Sequence, residues 1–544
     1  MASSRRRTSI VAVLLLLPIV AGGFLLQEPP RREGANARLF DQVLSLISRQ
    51  YVDTLAASEL MSRAARGLVD ELHDPYSELL SPSESEEFSR GTNGRYGGTG
   101  MLLGEEDDRV VTVQRVFPNT PADDAGVREG DRIISIGDSS ATTWGLSKVS
   151  EHLRGSPGSR VTVGFSRLGV TGPIRLTFVR REVHVPAVPY FTVLEGVGYI
   201  PLQTFNENST EEVESAVRTL VSQGARGLVL DLRDNGGGIV EQALSVSSLF
   251  LRDSQEIVSV RARGMPTEVS RAEGVPLAER VPLVVLTNGG TASAAEIVAG
   301  ALQDHDRALV LGGTSYGKGL VQSLFSLDGG FSLKLTTGKW YTPSGRSIHR
   351  ERRLTDDGRV IEGRLEDGRI VEGVEDSVET EASRSRRPKF RSDAGRVVYG
   401  GGGIVPDFLV REDSMSTIEQ EFVRSIATKG QQIQTVLQQY SLELHDEVAR
   451  DFAVTQTWTD ELRRRLRRAG VNVEPRFDTV AVRLLGDELA HRVARRAFGE
   501  AEAKRRTIAE DRALARAIDL LKKSRSQQEL LRTASAAARQ ARAS

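Results

Sequence analysis

Ser293 stands in the run Asn288-Gly-Gly-Thr-Ala-Ser293-Ala-Ala-Glu-Ile, where small residues lead into an apolar, helix-like pattern. Lys318 follows in Ser315-Tyr-Gly-Lys318-Gly, and Gln322 sits four residues later. A serine hydroxyl is a weak nucleophile at neutral pH and needs a base beside it. A lysine can be that base when burial or neighbouring charge keeps its amine neutral. Together they would support acyl transfer through a covalent serine intermediate, with no histidine required. Each residue also has an ordinary reading: a serine at a helix start commonly caps it, and a lysine between glycines commonly belongs to a solvated loop. The run Gly312-Gly-Thr-Ser-Tyr-Gly-Lys-Gly lacks the spacing of a phosphate loop, because Gly319 stands where a magnesium-binding hydroxyl is needed. His305, in Asp304-His-Asp306, would lie roughly 18 Å along the helix that starts at Ser293, so a structural or surface role suits it better than a Ser-His-Asp site. The seven histidines show no metal-ligand spacing, so neither a metal nor a cofactor is expected.

These residues need a scaffold, and the 544-residue chain is long enough for three or four domains. Its 72 basic and 73 acidic residues nearly cancel, which argues against nucleic acid as a partner of the whole protein. With no cysteine there is no disulfide framework, thiolate metal site or catalytic cysteine, and an oxidising compartment suits the composition. Arg5-Arg6-Arg7, the apolar run Ile10 to Val20 and the small residues Ala21-Gly22-Gly23 read as an export signal over residues 1–26. The apolar stretch continues to Leu26, about seventeen residues in all, at the lower limit for a membrane span. A cleaved signal and an uncleaved anchor that ties the chain to a membrane both stay open.

Residues 37–95 read as an N-terminal helical region, with Leu39, Val43, Leu44, Ile47 and Tyr51 at helical spacing. From 96 to 183 strands and turns dominate, with a short helix over Leu146 to Leu153. From 184 to 349 β-rich runs alternate with helical ones, an α/β pattern. Gly227-Leu-Val-Leu-Asp-Leu232 and Val281-Pro-Leu-Val-Val-Leu286 are continuously apolar, as in strands covered on both faces. Residues 350–394 carry a two-copy repeat, Asp357-Gly-Arg-Val-Ile-Glu-Gly363 and Asp367-Gly-Arg-Ile-Val-Glu-Gly373. Two copies predict a hairpin insertion, followed by a charged, serine-rich mobile loop. The core resumes over 395–413. Residues 414–544 are helix-rich, and the basic, alanine-rich stretch from Lys522 reads as a solvated helix or frayed tail, with contact to anionic lipid or a partner as the lesser alternative.

Several motifs in series resemble the carboxyl-terminal processing peptidases, also called tail-specific proteases. They are Asp74-Pro-Tyr-Ser77, Gly198-Tyr-Ile-Pro-Leu-Gln-Thr-Phe205, Leu230-Asp-Leu-Arg-Asp-Asn-Gly-Gly-Gly238, Thr287 to Ile297 with Ala301-Leu-Gln-Asp304, Ser315 to Gln322, and Tyr341-Thr-Pro-Ser-Gly-Arg346. The resemblance runs from about Leu39 to Asp407, and more loosely into the C-terminal helices. It implies a crotonase-like α/β protease core with an inserted small β-rich PDZ domain and helical N- and C-terminal regions. It makes Ser293 the nucleophile, Lys318 the general base and Gln322 the residue that orients the lysine. Four residues place Lys318 and Gln322 on one helical face, or on one side of a strand. Oxyanion donors are expected from the Ala294 backbone at the helix start and from the turn at Gly237 and Gly238. In that turn Gly236 replaces the family's usual proline.

Residues 96–183 resemble a PDZ domain of the bacterial protease type, carried by Gly98-Thr-Gly-Met101, Pro121 to Gly126 and Gly130 to Ile136. The loop Gly98, Thr99, Gly100 and Met101 would capture a terminal carboxylate, with Thr99 in place of the usual apolar residue. Leu146, Val149 and Leu153 either line the peptide groove or belong to the core. The function implied is an exported serine endopeptidase that takes unfolded or tail-exposed proteins in the periplasm or at the outer face of the bacterial inner membrane. Gating by a regulatory adaptor and homodimerisation through the long terminal helices stay open. Two rivals are a PDZ scaffold or chaperone with an idle protease core, and a different serine amidohydrolase on the same core. The intact Ser-Lys-Gln set argues against the first, and the PDZ-like segment against the second.

Overall fold

The computed structural model describes residues 33–105, 110–167, 169–355, 358–366, 369–372, 386–410 and 415–543. The leader, from Arg5 through Leu26, and residues 375–385 of the expected mobile loop lie outside the described residues. Among the described residues no helix is long and apolar enough to cross a membrane.

The chain divides into two bodies, residues 1–79 and 80–544. The first holds helices α1 (Glu33–Gln50) and α2 (Ala57–Asp70), and the strand β1 (Glu78–Leu80) straddles its end. The helical spacing of Leu39, Val43, Leu44 and Ile47 falls on α1. Asp74 caps the turn that ends this body, accepting the Tyr76 N–H at 3.0 Å and the Ser77 hydroxyl at 2.6 Å.

The second body opens with α3 (Pro82–Asn93) and a small β domain. Its elements are β2 (Arg95–Gly98), β3 (Met101–Glu105), β4 (Val111–Val116), α4 (Pro121–Asp124), β5 (Arg132–Ile136), β6 (Ser139–Ser140), α5 (Leu146–Leu153), β7 (Arg160–Ser166), β8 (Ile174–Val179) and β9 (Arg181–His184). The sheet order is β3-β4-β5-β7-β8, with β6 on β5, while β2 and β9 pair antiparallel as a neck through which the chain enters and leaves. Val111, Val113, Ile133, Val163, Phe165 and Phe178 fill its interior.

The central layer runs through β10 (Thr192–Leu194), β11 (Val197–Pro201), α6 (Ser209–Ser222), β12 (Leu228–Asp231), α7 (Val240–Ser248), β13 (Glu256–Ala262), β14 (Glu268–Arg271), β15 (Leu283–Thr287), α8 (Ala294–Asp304) and β16 (Leu309–Gly312). It continues with β17 (Leu320–Ser326), β18 (Ser332–Tyr341), β19 (Glu351–Leu354), β20 (Val360–Glu366), β21 (Arg369–Glu372), β22 (Lys389–Arg391), β23 (Val397–Tyr399) and β24 (Phe408–Leu409). One sheet has the order β10-β11-β12-β15-β16-β24, parallel except for the first pair. β17, β18, β13 and β14 form an antiparallel layer. The repeat does form a hairpin, β20 against β21, and β19 adds a third strand.

Side chains of a strand alternate between faces, so the continuous apolar runs need cover on both. Leu228, Leu230, Leu283, Val285 and Val310 pack with Val213, Val217, Val246, Val298 and Leu302 of α6, α7 and α8. Val229, Val284, Leu286, Leu309 and Leu311 face the other way and pack against Leu514, Ile518, Leu521, Leu530 and Leu531. That second cover comes from the C-terminal helices α9 (Thr417–Ile426), α10 (Gly430–Leu444), α11 (Gln456–Arg468), α12 (Asp478–Phe498), α13 (Glu500–Arg506), α14 (Arg512–Lys522) and α15 (Gln527–Ala543), of which only α14 and α15 contribute these residues. The solvated reading of the stretch from Lys522 is therefore corrected. Leu530 is 0 % and Ala534 2 % exposed, because one stripe of α15 seals the sheet while Arg532 and Arg539 are exposed. Helices α9 to α12 enclose a core of their own, including Phe422, Leu437, Leu462, Phe477 and Leu489. The small β domain docks on α12 and α13: Glu129 meets Arg495 at 2.7 Å and Arg496 at 3.3 Å, and Arg115 meets Glu500 at 3.1 Å.

Leu530→Ala should destabilise the full chain by about 2–5 kcal/mol, measured by denaturant unfolding. A change below about 0.5 kcal/mol would mean that α15 does not seal the sheet.

Candidate active site

The loops that follow β12, β15 and β16 meet at the carboxyl ends of the parallel strands, the usual place for a site in an open α/β sheet. Strand β15 ends at Thr287, turns through Asn288 to Ala292, and delivers Ser293 directly before α8. Ser293 has φ 55° and ψ −117°, a conformation that an L-residue adopts only under constraint. A serine on such a strand-to-helix turn is thrust out of the chain path. Ala294 and Ala295, both 0 % exposed, let α8 enter the core immediately after it.

Glu296 holds this turn. Its carboxylate is fully buried and accepts four hydrogen bonds. Oε1 takes the Ser315 hydroxyl at 2.5 Å and the Gly317 N–H at 2.7 Å. Oε2 takes the Ser293 N–H at 2.9 Å and the Lys318 N–H at 2.8 Å. One carboxylate oxygen thus joins the backbones of Ser293 and Lys318. Complete burial pushes the Glu296 carboxyl above its ordinary value, and the donors from Ser315, Lys318, Gly317 and Ser293 pull against that rise. The Lys318 carbonyl is held as well, accepting the indole N–H of buried Trp340 at 3.1 Å. Arg352 stacks on the Tyr316 ring and donates to the Tyr316 carbonyl at 2.8 Å.

Lys318 precedes β17, and Gln322 lies within that strand, so the pair is extended rather than helical. The β17–β18 pairing skips one residue of β18 between Val321 and Gln322, and the Gln322 amide reaches the Thr336 hydroxyl at 3.5 Å.

The glycine turn packs directly against the serine. Gly237 has φ 98°, and a Cβ there would stand 2.9 Å from the Ala292 carbonyl, 2.9 Å from Ser293 Cβ and 3.0 Å from the Ala294 nitrogen. Gly238 has φ 141°, and its Cβ would lie 2.1 Å from the Phe205 carbonyl oxygen. The Gly237 N–H donates to Asn235 Oδ1 at 2.9 Å. That corrects the expectation of Gly237 as an oxyanion donor, because the Asn235 side chain already claims its proton; Ala294 and Gly238 remain. Gly236 avoids the left-handed region, and a Cβ there would meet nothing within 4 Å.

His305 caps the far end of α8, with Nδ1 2.7 Å from Asp393 Oδ2 and Nε2 2.7 Å from the Glu256 carbonyl oxygen. It is a structural histidine. Beside it, Arg346 is 0 % exposed and meets Asp304 at 2.7 Å and the Gln303 side chain at 2.7 Å. The motifs around Asp304 and Tyr341 to Arg346 therefore clamp the helix and do not enter the site. Among the described residues no acidic or histidine cluster could hold a metal ion.

In the small β domain, Gly98 ends the neck strand, Thr99 is 3 % exposed and its carbonyl accepts the Ala122 N–H at 2.8 Å. Gly100 has φ 89°, and a Cβ would meet Thr120 at 2.2 Å. Met101 starts β3, the edge strand beside α5. Val149 and Leu153 are 0 % and 4 % exposed and sit in the domain core, so they offer little surface to a peptide. Leu102 on β3 is 45 % exposed.

Sequence reasoning missed Glu296 and Trp340 as holders of the site. Glu296 had a readable signal, Ser-x-x-Glu at a helix start; Trp340 had none.

Residues 196–360 match the model of peptidase family S41, and residues 112–167 match that of the PDZ domain. A carboxy-terminal-processing protease of Bartonella bacilliformis is 36 % identical over 315 residues, covering 57 % of this chain and 71 % of that protein. The carboxy-terminal processing protease CtpA of Bacillus subtilis is 33 % identical over 305 residues, covering 56 % of this chain and 65 % of that protein. Among solved structures, a photosystem II D1 C-terminal processing protease is 32 % identical, with a TM-score of 0.35, over 56 % of this chain and 82 % of that one. The chain belongs to the carboxy-terminal processing peptidases, serine-type peptidases of family S41 with a PDZ domain.

Three substitutions test the site's supports. Glu296→Gln keeps the shape but turns an amide NH2 toward backbone donors; it should cost about 1–3 kcal/mol per stranded donor and on the order of 100-fold in peptidase kcat/KM. Gly237→Ala should lose a similar factor in kcat/KM, while Gly236→Ala stays within about threefold. Equal effects at the two glycines would contradict the packing of Gly237 on Ser293.

Proposed function

We propose that the protein is an exported endopeptidase that captures protein C-terminal tails in its PDZ domain and cleaves by a Ser-Lys acyl-enzyme mechanism on a crotonase-like core. The observation that carries this reading is the Glu296 carboxylate, which ties the Ser293 and Lys318 backbones to one oxygen atom. Ser293 Oγ attacks the scissile carbonyl, Lys318 takes its proton and delivers it to the leaving amine, and water then releases the acyl group. The Ala294 N–H at the start of α8 and the Gly238 N–H face the developing oxyanion. Gln322 steadies the lysine without adding charge.

The edge strand β3 is open to a peptide strand beside α5, and the loop at Thr99 to Met101 takes the terminal carboxylate. The charged and apolar leader and the absence of cysteine suit the periplasm or the outer face of the inner membrane, with anchoring through the N-terminus. An adaptor and a homodimer are compatible with this arrangement.

Ser293→Ala and Lys318→Ala should each lower cleavage of an unfolded protein with an apolar C-terminal tail by roughly 10³-fold or more. Removing the tail should reduce wild-type kcat/KM on the same protein. Turnover surviving in either purified variant would remove the mechanism, and failure of a fluorophosphonate to label Ser293 while tail peptides still bind would favour a scaffold with an idle core.

A further inference from the structure

Arg233 sits between the end of β12 and the glycine turn, and two carboxylates grip its guanidinium. Nε donates to Asp231 Oδ1 at 2.9 Å and Nη2 to Asp231 Oδ2 at 2.6 Å. Nη1 donates to Asp511 Oδ1 at 2.9 Å and Nη2 to Asp511 Oδ2 at 2.8 Å. Lys504 also donates to Asp511 Oδ2 at 2.7 Å, and the Tyr199 hydroxyl to Asp231 Oδ2 at 2.8 Å. The side chains of Asp231, Asp511 and Arg233 are 7, 13 and 19 % exposed, so this is a largely desolvated, bidentate pairing rather than a screened surface contact. Burial pushes the Asp511 carboxyl up, but the hydrogen bonds and charges of Arg233 and Lys504 outweigh it and hold the group below the usual carboxylate range.

The residues after Arg233 govern the site. Asp234 exchanges hydrogen bonds with the Asn288 side chain, both at 2.9 Å, at the start of the nucleophile turn. The Asn235 carbonyl accepts the Ala292 N–H at 2.9 Å, one residue before Ser293, and its side chain holds the Gly237 N–H. Asp231 lies two residues earlier in the same segment, at the end of β12. Asp511 does not: it is the N-cap of α14, far beyond residue 360 where the family match ends. It is the outside reference against which this turn is set.

We propose that Asp511 is a positioning residue of the peptidase site, acting through Arg233 to fix the glycine turn beside Ser293, so that the docked C-terminal helices are needed for turnover and not only for folding. The proposal rests on Ser293 being the nucleophile. Asp511→Asn removes the carboxylate that grips Arg233 and Lys504, while asparagine still caps α14, where Asp511 accepts the Leu514 N–H at 3.0 Å. A control exists in the Lys522–Glu195 pair, 2.7 Å, which ties the same helix to the β10–β11 turn without touching Arg233.

With the full chain and a tailed unfolded protein, Asp511→Asn should lower kcat about tenfold or more with KM little changed. Lys522→Ala should leave kcat as in the wild type. Arg233→Lys, which keeps the charge but not the fork, should reproduce the fall in kcat, and the double variant should be little worse than either single one. Should Asp511→Asn not fold, Arg233→Lys carries the same test. Wild-type kcat in both Arg233→Lys and a folded Asp511→Asn, a purely KM effect, or equal losses in Asp511→Asn and Lys522→Ala would each overturn the proposal. Fluorophosphonate labelling separates the two readings. A wild type unlabelled at Ser293 defeats the nucleophile assignment and this proposal with it, whereas labelled wild type with undiminished labelling and turnover in Asp511→Asn defeats this proposal alone.

Discussion

A carboxylate with no access to water is costly unless donors replace its lost hydration. Glu296 meets that condition with three backbone N–H groups and one hydroxyl, all from the two loops that must come together. The dependence is mutual. Without the loops the carboxylate could not be buried, and without it their N–H groups would have no partner there. The same bonds hold Ser293 in its positive-φ conformation, since its N–H is fixed by the Glu296 side chain and its carbonyl accepts the Glu296 N–H at 2.8 Å. Strain at the serine is maintained because the first turn of α8 over-determines it.

Helix α8 is secured at its other end too. Asp304, Arg346 and His305 form a second, mostly buried polar cluster there. Between these anchors, every residue of α8 is buried. The helix is a rigid rod whose start presents the serine, and the glycine turn can approach because residues 292, 294 and 295 are alanines. The sheet beneath is sealed on its far side by α14 and α15, and α12 and α13 carry the contacts to the PDZ domain. The C-terminal helices therefore touch both the catalytic layer and the recognition domain.

Much of this was readable. The strand texture after Tyr96, the short helix at Leu146 to Leu153 and the hairpin implied by the repeat are local patterns, and local patterns survive in the fold. The misses share a cause. Val149 and Leu153 have the spacing of an apolar helix face, but spacing does not say whether that face meets a core or a peptide. Gly237 was expected to offer its N–H, and the Asn235 side chain two residues earlier takes it. The basic, alanine-rich end looked solvated because its charges dominate the composition, while Leu530 and Leu531 suffice to bury one stripe.

By itself the sequence indicated a strand-rich segment after Tyr96, an α/β alternation from residue 184 and helices at the C-terminus, that the strands over 228–231 and 283–287 need cover on both faces, and which residue types stand at the strand ends. Those properties follow from neighbours in the chain: period, turn chemistry and apolar content. Only the tertiary structure decided that α14 and α15 provide the second cover, that Glu296 serves Lys318 as well as Ser293, and that Asp511 pairs with Arg233. A buried charge or an apolar face states that it needs a partner, but many residues along a long chain could satisfy it. The choice among them is made by packing the whole molecule at once.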